Sequence, residues 1–586
     1  MKATVPTKYR VLASLVPILA LMTAWSTYRT WTAKQNAGRL AAEKRGRMTA
    51  LPHLEQGREL VERARDYLRL PGDPELRRQE IRDFAELAVE HATRALETAP
   101  DSEEALRIRG RALELQYNFD EALGDLQEAS RQHPAAPSLY DLGLLGTRML
   151  ARARLDGLKT SLLPPEALVE RASEPLRRFQ GASGQHGVEL DVKYARVATV
   201  CVAYAVGDWN VVPVAARAAR EWDATEWRVP YIEGLAYCEA GRLDEALRSL
   251  DEAARLAPAI ADIPAWQGAV LRKLGRRPEA IAALSRALEM SEHFLEAYSL
   301  RGTLLFEDGR FADARADFAA CARLRPSLAD VQQKLGVAAL EHWERSGRSE
   351  AASLDEAVQA LTAAVEARPR EPQLRLLRAR AFLGRGAPDK ADADVAEALA
   401  LSPDWIEARL LRAEIREAAG RFADAEQDYA AVLEKADPAR QAGVLRRRAR
   451  ARARAGRVDE AIADLDALLA KDPRDAGLHL EKVQLLAQAG RADAAFAALE
   501  AAPTTAPLLR LRAELLLARG DAAGARATAE RALQADPELA EAYVVRGRAA
   551  LAAGDKAAAA EDFRRALEKR PSLKDVVGPL LAETRP

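Results

Sequence analysis

Aromatic residues account for only 5 % of the 586 residues, and the chain holds three cysteines, five methionines and seven histidines. Cys201, Cys238 and Cys321 form no CxxC pair, so neither a disulfide framework nor a cysteine zinc site is expected, and the compartment stays undecided. The histidines are scattered without the spacing that a metal requires. Charge of one sign is lacking too, with 87 Lys plus Arg against 88 Asp plus Glu. That balance gives no global basic footprint and argues against nucleic acid as the main ligand. No long alternating pattern marks a strand, and no P-loop, GxGxxG, HExxH or GxSxG is present. The loop Gly181-Ala182-Ser183-Gly184, followed by His186, comes nearest to a catalytic motif. Without a strand-turn-helix context it reads as a flexible connector. No catalytic residue, cofactor or metal is expected, and the chain does not read as an enzyme.

What the chain has instead is a period. A Gly-Arg turn, with an acid and then Ala a few residues on, recurs at Gly241, Gly275, Gly309, Gly420 and Gly456. Weaker copies stand at Gly490 and Gly554. Gly241 to Gly275, Gly275 to Gly309, Gly456 to Gly490 and Gly520 to Gly554 are each steps of 34 residues. Prolines keep the same step from Pro100 to Pro134, Pro369 to Pro403 and Pro537 to Pro571. Self-similarity at this spacing predicts a stack of repeated units.

One unit can be read from Glu296 to Pro326. Ala297, Leu300, Leu304 and Leu305 recur at helical spacing, which predicts an amphipathic first helix. Gly309 sits where that helix must stop, because a glycine takes the left-handed C-terminal position without a Cβ penalty. Phe311, Ala314, Phe318 and Cys321 then line one side of a second helix. Pro326 ends it, since it has no N–H to give and turns Arg325 away from helical angles. Such a hairpin cannot bury its apolar face alone and must stack on its neighbours. Gly110, Gly234, Gly268, Gly302, Gly336 and Gly547 share one position of the first helix. Ala246, Ala280, Ala314, Ala425 and Ala559 share one in the second, each followed four residues later by a large wedge such as Leu250, Leu284, Phe318, Tyr429 or Phe563. Small against large, in register, predicts interdigitated packing.

These residues resemble the tetratricopeptide repeat family: a small residue in mid first helix, Ala early in the second, a large residue one turn later, and a closing proline. The match runs through most copies between Arg228 and Pro571, although the Trp usual near the start of the first helix is mostly replaced. The resemblance implies an all-α TPR-type α-solenoid, a right-handed superhelix of helix hairpins. Its concave groove would bind peptides or protein partners. The family's clamp for acidic chaperone C-termini uses Asn, and Asn is nearly missing here, so a cochaperone role is disfavoured.

Before the repeats, Val11 to Tyr28 (VLASLVPILALMTAWSTY) carries no charge. Eighteen helical residues reach about 27 Å, close to the bilayer core of about 30 Å. The expected organisation is a basic leader at 1–10, a transmembrane signal-anchor helix at 11–28 and a basic helical linker at 29–50. Degenerate hairpins follow at 51–134, an irregular helical segment at 135–227, the regular array at 228–571 and a capping helix at 572–586. The array is interrupted by an insertion near Arg345 to Ser353 and shortened between Ala495 and Ala525. LEQGRELVERARDY (Leu54 to Tyr67) and GRALEL (Gly110 to Leu115) are similar to repeat regions of bacterial receptor-type serine/threonine kinases, without the kinase domain. Those regions lie outside the cytoplasm, which points to a single-pass cell-membrane protein with its repeats on the periplasmic side.

Two groups of residues stand out as candidate contacts. Arg446, Arg450 and Arg454 share one face of a first helix at i, i+4 and i+8, within a run that also holds Arg447, Arg448 and Arg452. Like charges at this spacing repel, so an acidic peptide or phosphate would satisfy them. A ladder to Glu407, Glu414 and Glu417 of the preceding repeat would do so as well. Trp209, Trp222 and Trp227 form a possible aromatic contact cluster or a local core. The function expected is that of a membrane-anchored scaffold without catalysis, holding protein or peptide partners, acidic ones among them. The alternative is a sensory or regulatory subunit acting with a separate kinase.

Overall fold

The computed structural model describes residues 35, 49–68, 74–132, 136–155, 164–182 and 192–585. All regular structure among them is helical. The expected single-pass membrane location is corrected here: among the described residues no helix is long and apolar enough to cross a membrane. Even the 25-residue helix Pro74–Thr98 carries charged residues in every turn. The run Val11 to Tyr28 lies outside the described residues.

The hairpin read from the sequence is present as Leu295–Glu307 and Phe311–Leu324. Gly309 takes φ +74° between the two helices. The Arg310 N–H donates back to the Leu305 carbonyl at 2.9 Å, and the Gly309 N–H to Phe306 at 3.0 Å, so carbonyls left open at the helix end are satisfied. Gly241, Gly275, Gly420, Gly456, Gly490, Gly520 and Gly554 turn the chain in the same left-handed way. The mid-helix glycines answer to a different need. A Cβ built on Gly302 would sit 2.9 Å from a ring carbon of Phe318, and one on Gly268 would sit 2.7 Å from Leu284. The wedge fills the space that the missing side chain leaves.

The chain falls into two compact units, Met1–Ser349 and Glu350–Pro586. The division lies inside the insertion, where Gly347 and Arg348 both take positive φ. In the first unit the stretch 135–227, where the period is lost, still forms helices in pairs. These are Ala136–Leu155 with Pro165–Ala182, and Val192–Val206 with Val211–Arg220. The helix Ala136–Leu155 also packs against Asp262–Lys273 and Leu295–Glu307, far along the chain. As a result Asp262–Lys273 is buried at every position from Asp262 to Leu271, the pattern of a helix covered on all sides. Arg228–Glu239 is buried nearly throughout as well.

That interior is polar at its centre. Asp262, fully buried, accepts from Arg148 Nη2 at 2.6 Å and lies 3.7 Å from Arg152. Arg152 reaches Glu296 at 3.1 Å, with its guanidinium 3.6 Å from the ring centre of Phe294. The Tyr117 hydroxyl accepts from the Ala261 N–H at 3.0 Å. A cavity of ≈ 610 Å³ opens beside this junction, between Arg82, Phe119, Arg152, Met290 and Arg325.

The second unit follows the same hairpin plan from Ala351–Ala367 to the closing helix Lys574–Glu583. Its shortest α-helix, Ala492–Glu500, accounts for the shortened period between Ala495 and Ala525. Here three consecutive first helices bury only three residues each. Pro372–Gly384 buries Leu374, Ala379 and Ala381; Ile406–Ala418 buries Ala408, Ala413 and Ile415; Pro438–Arg454 buries Val444, Ala449 and Ala451. Their remaining positions are half-buried or exposed, with most of the exposed ones on Pro438–Arg454.

Candidate functional site

The helix Pro438–Arg454 opens with Pro438 at its first position and Asp437 as its cap, whose carboxylate accepts from the Arg440 N–H at 2.9 Å. Its arginines separate into three groups. Arg448 turns inward: Nε and Nη2 donate to the two oxygens of Asp464 at 2.9 and 2.6 Å. Arg452 joins it, 2.9 Å from Asp464 and donating to Glu426 at 2.8 Å. Arg447 pairs with Glu414, and Arg440 with Glu407 at 3.1 Å, both acids belonging to the preceding first helix.

Arg446 and Arg450 do not pair backward. Both converge on a single oxygen of Glu481, in the following first helix, which accepts from Arg446 Nε at 3.0 Å, from Arg446 Nη2 at 2.7 Å and from Arg450 Nη2. Arg454 lies over the Phe422 ring at 5.5 Å, and its charge acts on Glu417. The stripe therefore sets Arg446 and Arg450 on the carboxylate of Glu481 and Arg454 on the ring of Phe422. The Arg450 side chain remains 60 % exposed, while Glu481 is 23 % exposed. Burial alone would push the Glu481 carboxyl upward, but the bonds from Arg446 and Arg450 outweigh it and hold the group below the ordinary glutamate value. Glu417 is shifted the other way, with burial outweighing the pull of the Tyr429 hydroxyl, Arg454 and Arg447.

The ladder expected to Glu407, Glu414 and Glu417 thus takes up Arg440 and Arg447, while Arg446 and Arg450 use an acid that the sequence reading did not consider. A second set of residues also escaped it. Arg and Asp sixteen positions apart clasp the two helices of one hairpin in Arg109–Asp125, Arg301–Asp317, Arg378–Asp394, Arg412–Asp428, Arg448–Asp464 and Arg546–Asp562. The signal was available as a fixed offset, with Arg just before the small residue of the first helix and Asp just before the wedge. These pairs are structural, and they remove Arg448 from the groups open to a partner.

The three tryptophans do not form one cluster. Trp227 is buried against Tyr231, with ring centres 5.7 Å apart. Trp209 packs on Tyr204, also at 5.7 Å. Trp222 is 58 % exposed, and the Arg196 guanidinium lies 5.1 Å from its ring centre. The cysteines Cys201, Cys238 and Cys321 are buried outside any disulfide, and the Cys321 thiol donates to the Leu295 carbonyl at 3.4 Å. Among the described residues no group of three or more His, Cys, Asp or Glu is placed to hold a metal ion.

Comparison with known proteins bears on the same repeats. No curated protein sequence matches the chain. Among solved structures, a tetratricopeptide repeat protein from Parabacteroides merdae is similar at 21 % identity and TM-score 0.30, covering 44 % of this chain and 98 % of its own. YrrB, a TPR protein with an unusual peptide-binding site, is 18 % identical at TM-score 0.30, covering 33 % of this chain and 95 % of its own. The structure of Naa15/Naa10 bound to HypK-THB covers 93 % of this chain and 98 % of its own, at 14 % identity and TM-score 0.33. The tetratricopeptide repeat family model matches residues 78–137, 231–293, 267–329, 347–404, 446–508 and 510–573. With more than half of its length matched in this way, and with the stop-glycine hairpins and glycine-against-wedge packing described above, the chain belongs to the tetratricopeptide repeat family.

Proposed function

We propose that the chain is a scaffold without catalysis of its own, holding a protein or peptide partner that presents an acidic segment to the open face of the second unit. The observation that carries this reading is the stripe Arg446, Arg450 and Arg454 on a helix that buries only Val444, Ala449 and Ala451. A guanidinium keeps its charge at any physiological pH and offers paired donors that match a carboxylate. Arg450 retains most of those donors, since it gives only Nη2 to Glu481. The first unit presents no such arginine stripe on Arg228–Glu239 or Asp262–Lys273, whose own residues are buried nearly throughout.

The test is affinity capture with the full chain and with Arg450→Glu/Arg454→Glu, partners being identified by mass spectrometry. The double reversal is expected to lose the acidic partners, by about tenfold or more in recovered amount if each lost contact contributes on the order of 1 kcal/mol, while helical circular dichroism is unchanged. Equal capture by both proteins, with equal helicity, would exclude the stripe as the binding face.

A further inference from the structure

Resting on that reading, we infer that Glu481 stands in the place of a partner carboxylate, so that the arginine stripe selects segments bearing several acids over those bearing one. Three donor bonds from two first-helix arginines end on one oxygen of this side chain. That is the contact pattern a bound carboxylate would make. Glu481 is tethered to the helix Ala476–Gln488 and reaches the arginines from within the same chain. A tethered group acts at an effective concentration on the order of millimolar or above. A lone carboxylate that took the place of Glu481 would exchange one anion for an equivalent one against the tether, so it is left with the spare donors of Arg450. A segment with several acids displaces Glu481, because it takes its place at Arg446 and Arg450 and also engages Arg454, which the Glu481 carboxylate does not reach in this structure.

The bonds from Arg446 and Arg450 hold the Glu481 carboxyl below the ordinary glutamate value in spite of its burial. The tether favours the internal acid and added charges favour the external one, so the site becomes selective by the number of charges on its ligand. Neighbouring acids do not duplicate this role. Glu414 is held by Arg447, and Glu514 by Arg510 on its own helix at i, i+4.

The full chain is titrated with short fluorescein-labelled peptides of Ala, Gly and Ser that carry either a single Glu or three Glu, and anisotropy is read. Wild type is expected to prefer the three-Glu peptide by about tenfold or more. Glu481→Gln keeps the shape and removes the internal charge. It is expected to tighten the single-Glu peptide about five- to tenfold, the size of one modest charge contact, and so to compress the preference. Glu514→Gln, which removes an acid held away from the stripe, is expected to stay within about twofold of wild type. Binding of the single-Glu peptide by Glu481→Gln but not by wild type supports the inference equally. An unchanged preference in Glu481→Gln, or equal tightening by Glu514→Gln, overturns it. Three-Glu binding that survives Arg450→Glu/Arg454→Glu overturns instead the reading on which it rests, because the peptide then sits elsewhere. Failure of both wild type and Glu481→Gln to bind either peptide overturns the two together.

Discussion

An arginine beside the small residue of the first helix, as in the six clasped hairpins, is a costly choice for a packed position, and the clasp explains how the fold tolerates it. Asp562 is 5 % exposed and takes both Arg546 Nε and Nη2, at 2.9 and 2.6 Å, in the fork-to-fork geometry that suits a carboxylate. The cost of dehydrating both charges offsets most of their attraction, so the pair specifies how the helices align more than it stabilises them. Asp317 shows the balance directly: burial raises its carboxyl above the ordinary aspartate value in spite of the bonds from Arg301. Removing one partner is a different matter from removing both. Asp562→Ala strands the Arg546 guanidinium and is expected to cost about 3 kcal/mol, read as a lower urea midpoint, while Arg546→Met/Asp562→Leu stays within about 1 kcal/mol of wild type. Equal losses in the two variants would show that the pair contributes through its packing and not through its charges.

At the scale of elements, the hairpin was legible residue by residue, and the way hairpins meet beyond their neighbours was not. Gly309, Pro326 and the pair Gly302 with Phe318 act over distances of one repeat, so a period exposes them. The meeting of Ala136–Leu155 with Asp262–Lys273 joins Arg148 to Asp262 across 114 residues, and no period carries that. Its trace in the sequence is compositional: VPYIEGLA in one first helix and DIPAWQGAVL in the next are apolar on both sides, whereas VLRRRARARAR is not. Helices of the first kind are covered all round and those of the second kind keep a wet face. The arginine stripe was legible for the same reason, and Glu481 was not, because its partners lie 31 and 35 residues away in the preceding repeat rather than on its own helix. The buried junction has a local consequence. Asp262→Ala leaves Arg148 and Arg152 without their shared acid and is expected to destabilise the first unit by about 3–5 kcal/mol. Hydrogen exchange should quicken in Ala136–Leu155 and Asp262–Lys273 and stay unaltered in Pro438–Arg454, since repeats couple chiefly through neighbours. Quickening spread evenly over all the helices would mean that the chain opens as one body.

At the scale of the whole molecule, a repeat array has no single core, so its cooperative limits are set wherever the contact between neighbours is weakest. The insertion near Arg345 to Ser353 was visible as a 43-residue step from Ala314 to Ala357 in place of 34. Its meaning as a boundary was not visible, because spacing alone does not tell a longer helix from a longer turn. The structure shows both: Ala329–Arg345 runs to 17 residues, and the chain then turns through Gly347 at φ +70° and Arg348 at φ +64° before Ala351–Ala367. A non-glycine residue in the left-handed region costs on the order of 1 kcal/mol or more, and here no dense packing surrounds it, since residues 347–350 are all exposed. The other Gly-Arg turns are tied down. Arg276 holds Glu279 within the first turn of its own helix, and Arg421 reaches back to Asp392 at 3.0 Å. Arg348 instead lies over Trp343 at 5.5 Å, on the helix it has just left. Loop tips of this kind are where proteases gain access. Brief trypsin treatment should therefore cut after Arg348 well before the Gly-Arg turns that follow it. The fragment 349–586 should accumulate, keep its helical circular dichroism and retain the binding that Arg446, Arg450 and Arg454 confer. Early cleavage at Arg421, Arg457 or Arg491 instead, with no persistent C-terminal fragment, would mean that the second unit draws its stability from the first.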